Sequence, residues 1–475
     1  MGALAISVKQ LPAAEKKDAR PNILWIMAED ICPDLSCYGA RGVKTPHLDK
    51  FASQGIRFNN AFATAPVCSA SRSAMMTGFH QNYIRAHQHR TSNKKPLPYG
   101  IKPVPHLLAE AGYFTCLMDR KTDCNFTTPK PLFMGKDWKQ REDGRPFFAQ
   151  YTSHGTHRSW KRDPDRPIDI KDVDIPPYYP DNDFVRRDWA NGLEQIQLMD
   201  RDVGRLLKRL EDEGLADNTV VFFIGDHGRC HIRGKQFLYD GGIHIPMLMR
   251  WPGKVEPAQV SYDMVTSIDI CATILQIAGV KPPQKLHGES LLRPGRAKRK
   301  YVFAARDKMD ETHDAMRAVR SKDFKYILNL MPERAYCQLN YYKEKMYPML
   351  ALMNVMNMKG RLAPEQARFM AAKKPEEELY DLRKDPHEVH NVAGDPAYRD
   401  VKKRFSAELE KWRKTIKDQG VSEQFRKGGW SAKYPTRTLA EWEKRVEEWR
   451  GYLFKGRGHP SKQRRLKRKP KKVRK

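Results

Sequence analysis

Two seven-residue runs, Asn22–Ala28 (NILWIMA) and Thr219–Gly225 (TVVFFIG), constrain this chain more than anything else in it. Each is rich in β-branched and aromatic residues, and neither alternates polar with apolar positions. A strand with no polar face must be covered on both sides, as it is inside a parallel sheet. Amphipathic stretches that could supply the cover lie between the apolar runs. Segment 102–111 has Val104, Leu107, Leu108 and Ala111 at helical spacing and stops at Gly112. Segment 189–213 carries Leu193, Ile196, Val203, Leu207 and Leu210 near one face and stops at Gly214. Further strands are expected at 113–118, 146–152 and 245–251, and a helix over 268–278. Strands alternating with helices specify an α/β fold with a large mixed, mostly parallel sheet flanked by helices.

After about residue 297 the texture changes. Short strands at 301–305, 316–320 and 325–330, then a helix over 400–417, predict a smaller α+β C-terminal domain. The expected division is a leader over 1–20, a large domain over 21–297, the smaller one over 298–418, a Trp-bearing extension over 419–454 that wraps the surface, and a basic tail over 455–475. The leader has a short apolar stretch but no basic n-region, so it is not a clear signal peptide. No apolar run approaches the roughly 18 residues of a membrane span.

Charge narrows the partners. The chain has 87 Lys+Arg against 57 Asp+Glu, a net +30. Twelve of those bases sit in 455–475, which has no acid. The body remains basic without the tail, which points to an anionic partner or substrate. The tail has no aromatic residue to stack on bases, so specific nucleic-acid reading is not expected. Its composition is that of a disordered, solvated segment. The eight cysteines show no CxxC pair and no structural-zinc spacing, so no disulfide framework is called for.

The chemistry gathers where the strands end. Ligands of open α/β sheets bind beyond the carboxyl ends of the strands. Glu29 and Asp30 follow the first run. Asp119, Arg120, Lys121 and Asp123 follow 113–118. His154 and His157 follow 146–152, and Asp226 and His227 follow the 219–225 run. Carboxylates from separate strands converging on one point repel unless a cation stands between them. The oxygen donors Glu29, Asp30 and Asp226 suit Ca²⁺ or Mg²⁺. An imidazole at His227 is less usual for Ca²⁺ and keeps the ion's identity open. Separately, Cys68 precedes small residues, Arg72 and a helical stretch at 73–76. A thiol near a helix N-terminus with a guanidinium one turn on is a candidate nucleophile in a positive field.

The segment Cys68-Ser69-Ala70-Ser71-Arg72, followed by Thr77-Gly78, resembles the sulfatase signature Cys-x-Pro/Ala-x-Arg. Other sulfatase-like blocks follow in order: Thr45-Pro-His-Leu-Asp49, Ser153-His154-Gly-Thr-His157, Gly225-Asp226-His227-Gly228, Leu238-Tyr-Asp-Gly-Gly-Ile-His-Ile-Pro246, Arg250-Trp-Pro-Gly253 and Glu378-Leu-Tyr-Asp-Leu382. The similarity runs from about residue 21 to about 415. It implies the alkaline-phosphatase-like fold and a formylglycine-dependent sulfatase of the carbohydrate type, the N-sulfoglucosamine sulfohydrolase type included. Cys68 would be oxidised to Cα-formylglycine by a formylglycine-generating maturation enzyme. Glu29, Asp30, Asp226 and His227, with the converted Cys68, would hold Ca²⁺ (Mg²⁺ as the alternative). Arg72 would hold the formylglycine, and Lys121 and Lys235 would bind sulfate oxygens. His157 would transfer the proton to the leaving oxygen or from the hemiacetal. The resemblance also implies a periplasmic or secreted protein.

Three departures bear on the site. Glu29 stands where the family usually has Asp, His227 where it often has Asn, and Asp123 where a second active-site histidine often sits. Asp123 is therefore expected to bind a sugar hydroxyl. His87 and His89 in the basic segment 80–90, His154, and Arg317 beside the acid-rich 309–314 are the expected substrate contacts. The expected substrate is a sulfated oligo- or polysaccharide. A phosphonate or phosphate ester hydrolase of the same superfamily, and a non-catalytic polyanion binder with unconverted Cys68, are the rival readings.

Overall fold

The computed structural model describes residues 20–119, 121–293, 295, 297–429 and 437–461. The expected leader up to residue 19, Arg120, Trp430 and the tail from 462 lie outside the described residues. A seven-stranded sheet organises the chain from Asn22 to Thr266. Its order is Phe114–Leu117, Phe147–Ser153, Asn22–Ala28, Thr219–Gly225, Met247–Arg250, Ile56–Phe62, Gln259–Thr266. Only Met247–Arg250 runs against the others. The two apolar runs are its central strands, paired in parallel from Asn22↔Thr219 to Ala28↔Gly225. Their side chains divide between two cores. Leu24 and Ile26 pack with Val221 and Phe223 on one face, and Ile23, Trp25 and Met27 with Val220, Phe222 and Ile224 on the other. An unbroken apolar run is what that double burial requires.

The helix expected over 189–213 is longer, Asp183–Asp212. It starts early because the Asn182 side chain accepts from the Val185 N–H, and Phe184 and Val185 are buried. Two strands of this sheet were not foreseen, Ile56–Phe62 and Gln259–Thr266. Both carry polar residues inside the run, and their pairing slips at Phe58/Asn60.

The C-terminal part is a four-stranded antiparallel sheet, Val302–Arg306, Met316–Arg320, Phe324–Asn329, Glu377–Asp381. Helix Arg399–Thr415 lays Phe405, Leu409 and Trp412 over its Val319, Tyr326 and Leu379. Residues 419–454 do not merely wrap the surface. Leu439–Phe454 is a helix with a Thr438–Glu441 capping box, and it packs on Pro348–Met358 and Asp183–Asp212. Trp442 and Trp449 are fully buried in the main core, so the polar composition of this segment describes only its outer face. Among the described residues no helix is long and apolar enough to cross a membrane.

Candidate active site

The four strands ending in polar residues are neighbours and parallel, so their carboxyl ends share one edge. Helix Cys68–Thr77 brings its first residue to the same edge. All ten of its residues are buried, and Gly78 closes it at φ +75°. The Ser71 hydroxyl donates to the Asp226 carbonyl at 2.5 Å, tying helix to strand end. The loop after His227 folds back on residues 241–242. Gly228 must be glycine there, since a Cβ would lie 2.3 Å from the Gly241 carbonyl. That fold-back delivers Lys235.

Asp30, Cys68, Asp226 and His227 each offer one donor atom, all within 4.8 Å of one another and all buried. Asp226 Oδ1 accepts the backbone N–H groups of Asp30 and His227, both at 2.9 Å. His227 Nδ1 must donate to the Gly228 carbonyl (2.9 Å), because a carbonyl can only accept. In the neutral ring Nε2 is then a bare lone pair, 2.9 Å from Asp30 Oδ1 and 3.1 Å from Cys68 Sγ. Two acceptors this close need a proton or a cation between them. A ring nitrogen fixed by its partner nitrogen's bond to a carbonyl is the usual arrangement of a metal-binding histidine.

Lys235 Nζ lies 2.8 Å from Asp30 Oδ1 and 3.3 Å from Cys68 Sγ. Burial works against both charges, yet Lys235 and His227 hold the Asp30 carboxyl well below the usual carboxylate range, and Asp30 holds Lys235 well above the ordinary lysine value. Burial lifts the Cys68 thiol well above its usual value, and the nearby Asp226 and Asp30 add to the lift against Lys235. The positive field expected from the sequence is therefore outweighed: the unconverted thiol stays protonated and is a poor nucleophile.

Arg72 does not touch Sγ. Its Nε donates to Asp226 Oδ2 (3.0 Å), Nη1 to Thr152 Oγ1 (3.1 Å) and Nη2 to Glu29 Oε1 (3.1 Å). One planar fork thus spans three strand ends, a geometry only arginine supplies. Glu29, also expected among the metal ligands, lies outside this four-donor group. Its carboxylate is taken by Arg72, Lys121 and His154. His157 Nδ1 donates to the Arg158 carbonyl at 2.7 Å, so Nε2 faces the site, 3.8 Å from Asp30 Oδ2. Burial pushes this ring down to about 4, against the pull of Asp30, so it is neutral at pH 7. Tyr342 was not foreseen. Its hydroxyl lies 3.3 Å from His157 Nε2, and its ring faces Lys235 Nζ at 5.6 Å. It comes from the short helix Tyr341–Met346, 185 residues from His157, and nothing in the local sequence marks it.

The expected substrate contacts fare differently. His154 is half-exposed beside Glu29 and Asp119. Asp123 is held by Arg90 through two hydrogen bonds of 3.0 and 2.8 Å, so its carboxylate is already engaged. His89 is buried against the Ser69 hydroxyl at 3.0 Å, and burial with Arg90 pushes it down to about 3. His87 is partly buried, with Nδ1 unpartnered. Arg317 is 1% exposed between Asp307 and Asp418, so it braces the C-terminal sheet and cannot meet a substrate.

The family model described as Sulfatase matches residues 21–129 and 132–280. A second, described as N-sulphoglucosamine sulphohydrolase, C-terminal, matches 225–359. An "ulvan-active sulfatase" of Formosa agariphila is 34% identical over 467 residues, 87% of this chain and 78% of that protein. The N-sulphoglucosamine sulphohydrolase of Homo sapiens is 27% identical over 471 residues, 85% of this chain and 92% of that protein. Two solved structures share the fold. One, in complex with its substrate D-glucosamine-2-N,6-O-disulfate, has a TM-score of 0.62 at 19% identity and covers 84% of this chain and 99% of its own. The other, a phosphonate monoester hydrolase of Agrobacterium radiobacter, has a TM-score of 0.63 at 18% identity and covers 85% and 99%. With one family model matching more than half of its length and a relative 34% identical across most of both proteins, this chain belongs to the sulfatase family.

Proposed function

We propose that this chain hydrolyses sulfate esters on a sulfated carbohydrate, with residue 68 converted to formylglycine and a divalent ion held by Asp30, Asp226, His227 and residue 68. The observation that carries the reading is the buried four-donor group, in which the His227 Nε2 lone pair and an Asp30 oxygen face each other at 2.9 Å. Two carboxylates and an imidazole fit a hard divalent cation, and we assign Ca²⁺ with Mg²⁺ as the alternative. When present, the ion neutralises sulfate oxygens and the aldehyde hydrate supplies the attacking hydroxyl.

The chain's own residues do the rest. Lys235, fixed between Asp30 and residue 68, presents its ammonium to a sulfate oxygen. Lys121, paired with Glu29 but partly solvent-exposed, serves a second oxygen. Arg72 binds no substrate; it locks the carboxylates of Asp226 and Glu29. His157, neutral with Nε2 free of a proton, accepts one at that atom. His154 is the expected sugar contact at the rim. We read residues 21–297 as the catalytic unit and 298–418 as the unit that lends the site Tyr342. The two curated relatives are named for ulvan and for N-sulphoglucosamine, which supports a glycan substrate and, with it, an exported enzyme.

The test is a mass measurement on the Cys68 peptide together with turnover on matched esters. Formylglycine with desulfation of a sulfated oligosaccharide panel supports the reading. A plain cysteine in inactive protein favours a polyanion binder, and faster turnover of matched phosphate or phosphonate esters favours the sister activity. Activity on small aryl sulfates alone refutes the glycan assignment.

A further inference from the structure

Helix Tyr341–Met346 (YYKEKM) has the composition of a surface helix, yet it buries Lys343 and Glu344. Glu344 is paired with Arg437 at 2.6 Å. Lys343 is 6% exposed, and its Nζ lies 4.8 Å from the centre of the Phe237 ring and 5.8 Å from that of Tyr347. Among the described residues no carboxylate pairs with it. Burial pulls its affinity for a proton well below the ordinary lysine value, and Arg306 and Lys235 push the same way. Either form costs free energy: the ammonium is desolvated, and the amine has given up a proton that a solvated lysine keeps.

The hydrogen bonds of Lys343 lead to the active site. Nζ donates to the carbonyls of Ile232 (3.2 Å) and Lys235 (3.1 Å). Charged or neutral, the nitrogen can make both bonds, since it carries N–H groups in either form and a carbonyl only accepts. Lys235 is the residue whose ammonium lies between Asp30 and Cys68. The peptide joining Lys235 to Gln236 is thereby held at both of its polar atoms. Its C=O accepts from Lys343, and its N–H donates to the Pro66 carbonyl at 2.9 Å, just ahead of Cys68. Gln236 then adopts φ +85°, in the left-handed region, which costs a non-glycine residue about 1–3 kcal/mol. Such a backbone persists only where its surroundings over-determine it. Lys343 and Pro66 are those surroundings, one on each side of the peptide.

We propose that Lys343 is a positioning residue for Lys235. It fixes the 235–236 peptide from the C-terminal part of the chain, and so sets where the Lys235 ammonium meets residue 68 and a sulfate oxygen. This assignment rests on the sulfatase reading above and extends it to a side chain that touches no substrate.

Lys343→Met keeps the stem and suits the two rings while removing the donor. Lys343→Gln, with a shorter donor, is the second variant should the first not fold. Misplacing a catalytic group by about 1 Å can cost on the order of 100-fold in rate, so both variants should lose kcat on a small sulfate ester at least about tenfold. A loss that runs through Lys235 does not add to its removal: in a Lys235→Met background, Lys343→Met should change kcat less than about twofold. Gln236→Gly, which takes φ > 0 without strain, should return at least about threefold to Lys343→Met. A merely structural lysine predicts additive losses and no such rescue. Crystal structures supply a readout independent of turnover: in Lys343→Met, Lys235 Nζ should move about 1 Å from its place beside Asp30 and residue 68. Wild-type protein that hydrolyses no sulfate ester, with that displacement in the variant, refutes the activity and leaves the positioning role standing. Unmoved Lys235 with wild-type kcat in an active enzyme, or losses that add in the double variant, overturn the proposal.

Discussion

Replacing Asp418 by asparagine separates two roles that the sequence could not distinguish for Arg317. Asp418 lies just beyond helix Arg399–Thr415. It accepts from Arg317 Nε (2.9 Å) and Nη2 (2.8 Å) and from Arg413 Nε (2.9 Å). Its side chain is 2% exposed and that of Arg317 1%. Breaking a buried pair costs about 3–5 kcal/mol because the survivor is left charged. Arg317 keeps Asp307 at 3.0 Å, so Asp418→Asn should cost about 3 kcal/mol, the lower end of that range. That is roughly 150-fold in the folding equilibrium. The pH dependence has a definite sign. Burial opposes the Asp418 charge, but Arg317 and Arg413 hold its folded-state pKa well below the unfolded value of about 3.9. Its contribution is therefore complete above the unfolded pKa and is lost as pH falls toward the folded one. Urea unfolding followed by tryptophan fluorescence should show the full gap between wild type and Asp418→Asn at about pH 7 and 5, and a narrowing gap below about pH 4. KM for any sulfated substrate should not move. An unchanged midpoint at neutral pH, or a gap that widens with acid, refutes the reasoning. A raised KM at wild-type stability returns Arg317 to the substrate.

Removing the metal should destabilise the chain. At ligand concentrations of about 100 Kd, a site bound only in the folded state contributes about 2.7 kcal/mol, so chelation should lower the melting temperature and added Ca²⁺ should restore it. A melting temperature indifferent to chelator on protein shown by elemental analysis to hold the ion would count against the four-donor site. Trp442→Ala should cost about 3–5 kcal/mol, since the ring is fully buried; a surface-wrapping segment would lose well under 1 kcal/mol in the same unfolding experiment. Tyr342→Phe removes one hydroxyl from His157 Nε2 and should lower kcat about two- to tenfold, the worth of a single neutral hydrogen bond. Wild-type kcat in that variant would mean the tyrosine only fills space.

The fold was legible where burial is two-sided. Asn22–Ala28 and Thr219–Gly225 announce central strands because every residue in them is covered, and the polar residues that end them could then be placed at one edge. Asp30 and Asp226 followed directly. Ile56–Phe62 and Gln259–Thr266 stayed hidden because Arg57, Asn59, Asn60 and Asp263 break the apolar pattern near the sheet's edge. Glu29 shows a second limit. Sequence placed it beside Asp30, but which cation its carboxylate meets depends on Arg72 and Lys121, 43 and 92 residues away. Tyr342 is the extreme case, a long-range contact with no local signature.

The arginines carry the argument one step further, since residue type and local sequence treat them alike. Arg72, Arg250 and Arg317 are all buried basic residues of a basic chain. What separates them is how the guanidinium's edges are occupied. In Arg72 every nitrogen is taken by strand-end groups, so it is a brace for the Asp226 and Glu29 carboxylates. In Arg317 every nitrogen is again taken, by Asp307, Asp418 and backbone carbonyls, so it is a brace for the second sheet. In Arg250 Nη1 is taken by Gln54, and Nε and Nη2 have no partner but are sealed from solvent with the Glu211 and Asp217 charges nearby, so it is a buried cation and not a docking point. Net charge predicted an anionic partner for the whole molecule. Arginines with all edges satisfied have no capacity left for one, so the charge that can act on a ligand at the strand ends resides with Lys235 and Lys121.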